Sequence, residues 1–75
     1  MQFVQVPKKF FDDHAERELP TPHVIRETSR YYLVNRDDEA VPELIDDAMH
    51  YADGVDQADR GLIASAKAVL RAFNA

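Results

Sequence analysis

The stretch that decides the fold is residues 41–73, VPELIDDAMHYADGVDQADRGLIASAKAVLRAF. Two apolar stripes with helical spacing run through it, one on each side of Gly54. Glycine at that point suits the end of a helix, because it accepts a left-handed backbone without steric cost. We therefore predict helices over residues 42–53 and 57–73, joined by a short loop into an antiparallel pair. The stripes comprise Val41, Leu44, Ile45, Ala48 and Ala52 in the first helix and Leu62, Ile63, Ala66, Val69, Leu70 and Phe73 in the second.

The second helix of this pair carries start and stop signals at its ends. Asp56 is the predicted N-cap, and Asp59 three residues later forms a variant of the capping box. Arg71 falls in the last turn, where the helix dipole favours a positive charge. This helix is the best-defined element that the sequence predicts.

Strand and helix patterns alternate in the amino-terminal half. Residues 2–6, QFVQV, are β-prone and precede Pro7, which pushes its predecessor toward an extended backbone. Apolar residues at helical spacing then predict a helix over residues 8–18, and residues 23–35 favour a β-hairpin. The order β-α-β-β-α-α predicts a small α+β domain over residues 1–75, with a three-stranded, mainly antiparallel sheet packed by helices.

The register of the hairpin is predicted from side-chain pairing. Setting Glu27 opposite Arg30 places an ion pair beside the turn and brings Val24 opposite Leu33. Two-residue turns prefer Gly or Asn, so Thr28-Ser29 points to a four-residue turn instead. Because the polar–apolar alternation is incomplete, the sequence leaves open which face of the hairpin joins the core.

Composition limits the available chemistry. The chain has 75 residues and no cysteine, which excludes disulfides, thiolate metal sites and cysteine nucleophiles. We predict no cofactor and no catalytic set, and the amino terminus lacks a signal-peptide pattern, so we expect a cytoplasmic protein without membrane contact. A domain this small buries only about 60% of its unfolded surface. A homo-oligomer is therefore an open alternative, because a second subunit adds stability.

The charge of the chain is unevenly distributed. The net charge is −5, yet residues 37–59 carry nine acidic groups and no Lys or Arg. Residues 1–36 sum to +1 and residues 60–75 to +3. An asymmetry of this kind bears on partners and association rather than on the fold.

Several of these acids lie at helical spacing on the side of the helix 42–53 that faces away from its apolar stripe. A solvated face accounts for this pattern, and so does a docking surface for a basic partner. Our leading prediction is a non-enzymatic protein–protein interaction module, or a small regulatory or inhibitory protein, that binds another protein with a basic surface. Tyr51 is expected at the core edge with its hydroxyl in water, with Met49 on the flank. The predicted partner-binding residues are Glu43, Asp46, Asp47, His50, Tyr51 and Asp53.

Nucleic-acid binding through the hairpin is an alternative. The hairpin mixes cations with aromatic rings, as surfaces that stack single-stranded bases do. The acidic balance of the chain opposes it, because phosphate binding normally needs a basic footprint. The residues of this alternative are Arg26, Arg30, Tyr31, Tyr32 and Arg36.

A metal site on the helix 42–53 is a third interpretation, formed by Asp46, Asp47 and His50. The i, i+3 spacing of Asp47 and His50 occurs in carboxylate-bridged metal helices, and this donor set suits Mn, Fe or Zn. No other helix repeats the spacing, so a solvated face explains it more simply.

His14 falls on the apolar stripe of the helix 8–18, and we expect it at the core edge, bonded to backbone or to a carboxylate.

Overall fold

A computed structural model of the chain describes residues 2–53 and 60–74. It confirms the predicted α+β class and the element order β-α-β-β-α-α. The elements are β1 (Phe3–Pro7), α1 (Lys8–Glu16), β2 (Val24–Glu27), β3 (Tyr31–Asn35), α2 (Val41–Ala52) and α3 (Arg60–Asn74).

The three strands form one antiparallel sheet in the order β1-β3-β2. Val4 and Val24 both lie opposite Val34 of the central strand, which makes a row of valines across the sheet. Val34 is fully buried, whereas Tyr31 on the same strand is exposed. The face that carries the valines is therefore the core face, which resolves the point that the sequence left open.

The predicted hairpin register is wrong. Glu27 lies opposite Tyr32 instead of Arg30, and one residue of β2 bulges out of the pairing. The turn explains the difference: the Thr28 N–H donates to the Tyr31 carbonyl at 2.8 Å, and the Tyr31 N–H donates to the Thr28 hydroxyl at 3.1 Å. These bonds favour the observed pairing more than a Glu27–Arg30 ion pair does, because exposed ion pairs contribute little.

Helix α1 ends two residues before the predicted boundary at residue 18. The chain turns at Glu18, whose backbone is left-handed with φ of 62°. The Glu18 N–H donates to the Ala15 carbonyl at 3.0 Å, and this bond closes the helix. A left-handed residue ends a helix efficiently, although it is usually glycine. Phe10, Phe11 and His14 lie on the buried side of α1.

Helix α2 begins at Val41, one residue before the prediction, after a loop that Asp38 organises. One oxygen of the Asp38 carboxylate accepts the Ala40 N–H at 2.9 Å, and the other accepts the His23 N–H at 3.1 Å. The same side chain therefore orders the start of α2 and fixes the segment before β2 against it.

Helices α2 and α3 pack against each other, as predicted for the carboxyl-terminal pair. Leu44 and Ala48 of α2 are fully buried, as are Ala66 and Val69 of α3. The predicted helix end at Gly54 and the predicted start with Asp56 and Asp59 lie outside the described residues. Across residues 2–53 and 60–74, no helix combines the length and apolarity needed to cross a bilayer.

Candidate functional site

The acidic side chains of α2 divide into two groups with opposite surroundings. Asp47 turns inward, and its side chain is only 10% exposed. Glu43 and Asp46 are exposed, as is Asp53 directly after the helix. The predicted placement of Asp47 on the outward face is therefore wrong, whereas Glu43, Asp46 and Asp53 do face outward.

Asp47 joins α2 to α1 through two side chains of α1, Arg17 and His14. The Arg17 guanidinium donates to both carboxylate oxygens, at 2.9 and 2.6 Å. The Nδ1 atom of His14 lies 2.7 Å from one of the same oxygens. Arg17 also donates to Asp13 at 3.0 Å, one turn away on α1. Charge-assisted bonds of this bidentate kind are among the strongest hydrogen bonds in proteins.

His14 is fully buried at the centre of this arrangement. Its Nε2 atom lies 2.8 Å from the Pro20 carbonyl oxygen, which can only accept a hydrogen bond. Its Nδ1 atom faces the Asp47 carboxylate, which is also an acceptor. Each ring nitrogen therefore faces an acceptor, one on the backbone and one on Asp47. This places His14 where the sequence predicted it, with a backbone carbonyl and a carboxylate as partners.

Opposing effects act on the pKa of Asp47. Burial raises this pKa, but the hydrogen bonds from Arg17 and His14 outweigh burial and hold the pKa below its ordinary value of 3.8. The bond to Asp47 in turn raises the pKa of Arg17.

Tyr51 belongs to the same group rather than to the outward surface. It lies half-buried at the core edge, as predicted, and its hydroxyl donates to Asp13 at 3.4 Å. Its ring meets Phe10 edge-on at 6.1 Å, and the Arg17 guanidinium lies 4.9 Å from the ring centre. Burial raises the pKa of the Tyr51 hydroxyl. We call these five residues the inner cluster: Asp13, His14, Arg17, Asp47 and Tyr51.

The solvent-exposed side of α2 carries a second, uncompensated set of charges, next to Asp47 on the helix surface. All its members are exposed, with Met49 at 50%. Within the described residues, its carboxylates form no ion pair or hydrogen bond, whereas His50 contacts the Tyr51 ring edge-on at 6.1 Å. We call this set the acidic strip: Glu43, Asp46, Met49, His50 and Asp53.

The residues of the metal interpretation are not brought together. Asp46 and His50 face solvent, whereas the Asp47 carboxylate is occupied by His14 and Arg17. In the part of the chain that the structure describes, no group of three His, Cys, Asp or Glu side chains is arranged to hold a metal ion.

The residues of the nucleic-acid interpretation divide between the two faces of the sheet. The Tyr32 hydroxyl donates to Asp12 at 3.0 Å, and the Tyr32 ring packs on Phe11 at 4.7 Å. Arg36 is half-buried and donates to the Phe73 carbonyl. Tyr32 and Arg36 are therefore occupied within the fold. The exposed members of the set are Arg26, Arg30 and Tyr31.

One residue that matters here, Arg17, received no role from the sequence. Arg17 is one turn from Asp13, and the i, i+4 spacing is a recognisable ion-pair signal. That spacing does not identify Asp47 as the stronger partner, because Asp47 lies 30 residues away in the chain. Met49, which the sequence placed on the flank of α2 and offered with Tyr51 as a candidate anchor for a partner, is exposed three residues after Asp46.

Comparisons of the chain with protein-family models, with curated proteins and with solved structures found no match. No residue role is therefore carried over from another protein. Function is inferred from the chemistry of the acidic strip and its surroundings.

Proposed function

We propose that the protein is a non-enzymatic docking module that binds a basic surface of another cytoplasmic protein through the acidic strip. The observation that carries this proposal is the contrast along α2. The Asp47 carboxylate is bound by His14 and Arg17, whereas Glu43, Asp46 and Asp53 have no charged partner within residues 2–53 and 60–74. Charges that do not stabilise the fold remain available to a partner.

Met49 supplies the apolar contact that such a surface needs. Protein interfaces combine an apolar centre with a polar rim, and methionine is enriched in them. Met49 is half exposed, with Asp46 and Asp53 at neighbouring positions along the helix. Its flexible thioether side chain adapts to the shape of a partner surface.

The amino-terminal end of the strip opens into a groove of about 840 Å³ beside the 20–23 segment. Phe11 and Pro22 contribute apolar surface to the groove, and Glu39 and Glu43 contribute carboxylates. An amphipathic side chain such as lysine or arginine suits these walls, because its stem packs on apolar surface while its charged end meets a carboxylate. The groove therefore favours a partner that presents basic side chains.

Docking without chemistry suits a small regulatory or inhibitory protein, which acts by occupying the surface of its partner. Charge complementarity mainly speeds association and selects the partner, while apolar contacts slow dissociation. Binding through the strip should accordingly weaken with rising ionic strength.

The proposal is tested by reversing the strip charges in the tagged full-length chain. Glu43→Lys/Asp46→Lys should lose the partner recovered from lysate by the unmodified chain. The control, Glu16→Lys/Asp37→Lys, makes the same change in net charge at two exposed positions outside the strip and should keep the partner. If the two double variants recover the partner equally well, the acidic strip is not the docking surface.

Met49→Ala tests the apolar part of the surface separately. This variant keeps every charge of the strip, so the salt dependence of binding should persist. We expect the complex to dissociate faster, because truncating an apolar anchor acts mainly on the off-rate. Surface plasmon resonance with the recovered partner measures both quantities.

A further inference from the structure

A cleft of about 430 Å³ lies where the tip of the hairpin, the start of α1 and α3 meet. Its volume falls in the range of small-molecule sites, about 300 to 1,000 Å³. The Lys8 N–H donates to the Arg30 carbonyl at 2.9 Å, so a backbone bond fixes the start of α1 beside the hairpin tip. We call this cavity the basic cleft, and its walls include Lys8, Lys9, Arg30, Tyr31, Ala64 and Ala68.

Positive charge is concentrated around the basic cleft. Three of the nine Lys and Arg residues of the chain line it, and no Asp or Glu of residues 2–53 and 60–74 does. Lys8 pairs with Glu27 at 2.8 Å, but Glu27 is 59% exposed and lies outside the walls. The groove beside the 20–23 segment has the opposite character, because Glu39 and Glu43 line it. The charge of the basic cleft therefore favours an anion.

Arg30 is the cation of the cleft that the fold uses least. Its side chain is exposed and forms no ion pair or hydrogen bond with the part of the chain that the structure describes. Its guanidinium is therefore available to a ligand, and guanidinium groups bind phosphate through two parallel hydrogen bonds.

Apolar walls lie among these cations. Ala64 and Ala68 are one turn apart on α3, and their small side chains leave space that a larger residue would fill. Tyr31 lines the same cleft and is 37% exposed, so aromatic surface is available beside Arg30. Tyrosine rings pack favourably against other flat aromatic groups. The walls therefore suit a ligand that joins an aromatic body to its negative charge.

We infer that the basic cleft binds a small phosphate monoester with an aromatic body. A phosphate group carries three strong acceptor oxygens, which suit the three cationic side chains of the cleft. The aromatic body lies against Tyr31 and the alanines of α3. None of the lining residues belongs to the acidic strip, so this site is independent of the proposed docking function.

Nuclear magnetic resonance titration of the full chain with three probes tests the inference. The probes are 1-naphthyl phosphate, inorganic phosphate, which lacks the aromatic body, and 1-naphthol, which lacks the phosphate. We expect 1-naphthyl phosphate to bind with a dissociation constant on the order of 1 mM. Inorganic phosphate and 1-naphthol should each bind at least about tenfold more weakly, because each meets only part of the cleft. The backbone amides that should shift are those of Lys9, Arg30, Tyr31, Ala64 and Ala68.

Two substitutions separate the charge of the cleft from its shape. Arg30→Gln should weaken binding of 1-naphthyl phosphate about tenfold, because it removes a charge-assisted contact. Ala64→Leu narrows the cleft and should weaken 1-naphthyl phosphate by at least about tenfold while leaving inorganic phosphate unchanged.

Each substitution has a matched control outside the cleft. Arg26→Gln removes another exposed arginine of the same hairpin, and Ala15→Leu enlarges an exposed alanine of α1. Both controls should bind 1-naphthyl phosphate like the unmodified chain. All four substituted residues are exposed, and circular dichroism checks that each variant is folded.

Three results overturn the inference, and none of them bears on docking through the acidic strip. The first is absence of 1-naphthyl phosphate binding up to about 10 mM, tenfold above the expected constant. The second is equal binding of inorganic phosphate and 1-naphthyl phosphate, which shows that the cations hold an adventitious ion only. The third is equal affinity of Ala64→Leu and Ala15→Leu for 1-naphthyl phosphate, which shows that the probe binds elsewhere.

Discussion

Asp46 and Asp47 are adjacent in the chain, yet they belong to opposite regions of the molecule. Asp47 lies in the inner cluster, where His14 and Arg17 bind it and hold α1 to α2. Asp46 lies in the acidic strip, exposed and without a charged partner in the described residues. The contrast teaches that one helix uses the same type of side chain, a carboxylate, for two purposes. Inward carboxylates join elements of the fold, and outward carboxylates remain available for binding.

Replacing each of the two histidines tests this contrast and should give the largest difference in stability. Removing the buried ring in His14→Ala leaves a cavity, takes one partner from Asp47 and leaves the Pro20 carbonyl unbonded. We expect the free energy of unfolding in urea to fall by about 3 kcal/mol. His50→Ala, on the acidic strip, should change it by less than about 0.5 kcal/mol. Similar losses in both variants would contradict the distinction between the two regions.

The adjacent aspartates give the next largest effect. Asp47→Asn keeps the size of the side chain but removes the charge that Arg17 and His14 share. We expect a loss of about 2 kcal/mol, because hydrogen bonds to charged groups are worth more than neutral ones. Asp46→Asn should stay within about 0.5 kcal/mol of the unmodified chain. Denaturant unfolding of the two variants side by side measures the difference, and a smaller loss for Asp47→Asn than for Asp46→Asn would reverse our assignment.

Acid should weaken the inner cluster through Asp47. The pKa of Asp47 in the folded protein lies below its ordinary value of 3.8. Its contribution to stability is therefore present above that ordinary value and is lost as the pH falls through the folded-state pKa. We expect the unmodified chain to lose more stability than Asp47→Asn between about pH 5 and pH 2. Urea midpoints measured across this range should converge at the acidic end, and parallel curves would contradict the prediction.

The smallest expected effect comes from the carboxyl-terminal end of the strip. Asp53 is the C-cap of α2, where the helix dipole disfavours a negative charge. Asp53→Asn should therefore stabilise the fold by about 0.3 to 1 kcal/mol at low salt. The thermal midpoint measures this gain, and added salt should reduce it. A loss of stability would show that the Asp53 charge serves the fold after all.

The helices were predictable because their signal is local. The apolar residues of α2 and α3 recur with the helical period, so burial of one side follows from the order of residues. The carboxyl-terminal end of α1 and the hairpin register were not predictable in the same way. The first depends on the left-handed backbone at Glu18, and the second on hydrogen bonds between Thr28 and Tyr31.

The acidic strip was predicted in part. Glu43, Asp46, His50 and Asp53 lie far from the apolar stripe, so their outward position follows from helical periodicity alone. Asp47 lies at the margin of that stripe, one residue before Ala48 and three after Leu44. Periodicity does not decide the environment of a marginal position.

The local sequence was sufficient to predict the α+β class, the element order and the outward position of most of the acidic strip, because each depends on residues a few positions apart. The inner cluster required the packed chain. His14 and Asp47 are 33 residues apart, and they meet because burial of Phe10 and Leu44 in one core brings α1 beside α2. A carboxylate that is largely removed from water needs charged or hydrogen-bonding partners, so packing determined which of two adjacent aspartates turned inward.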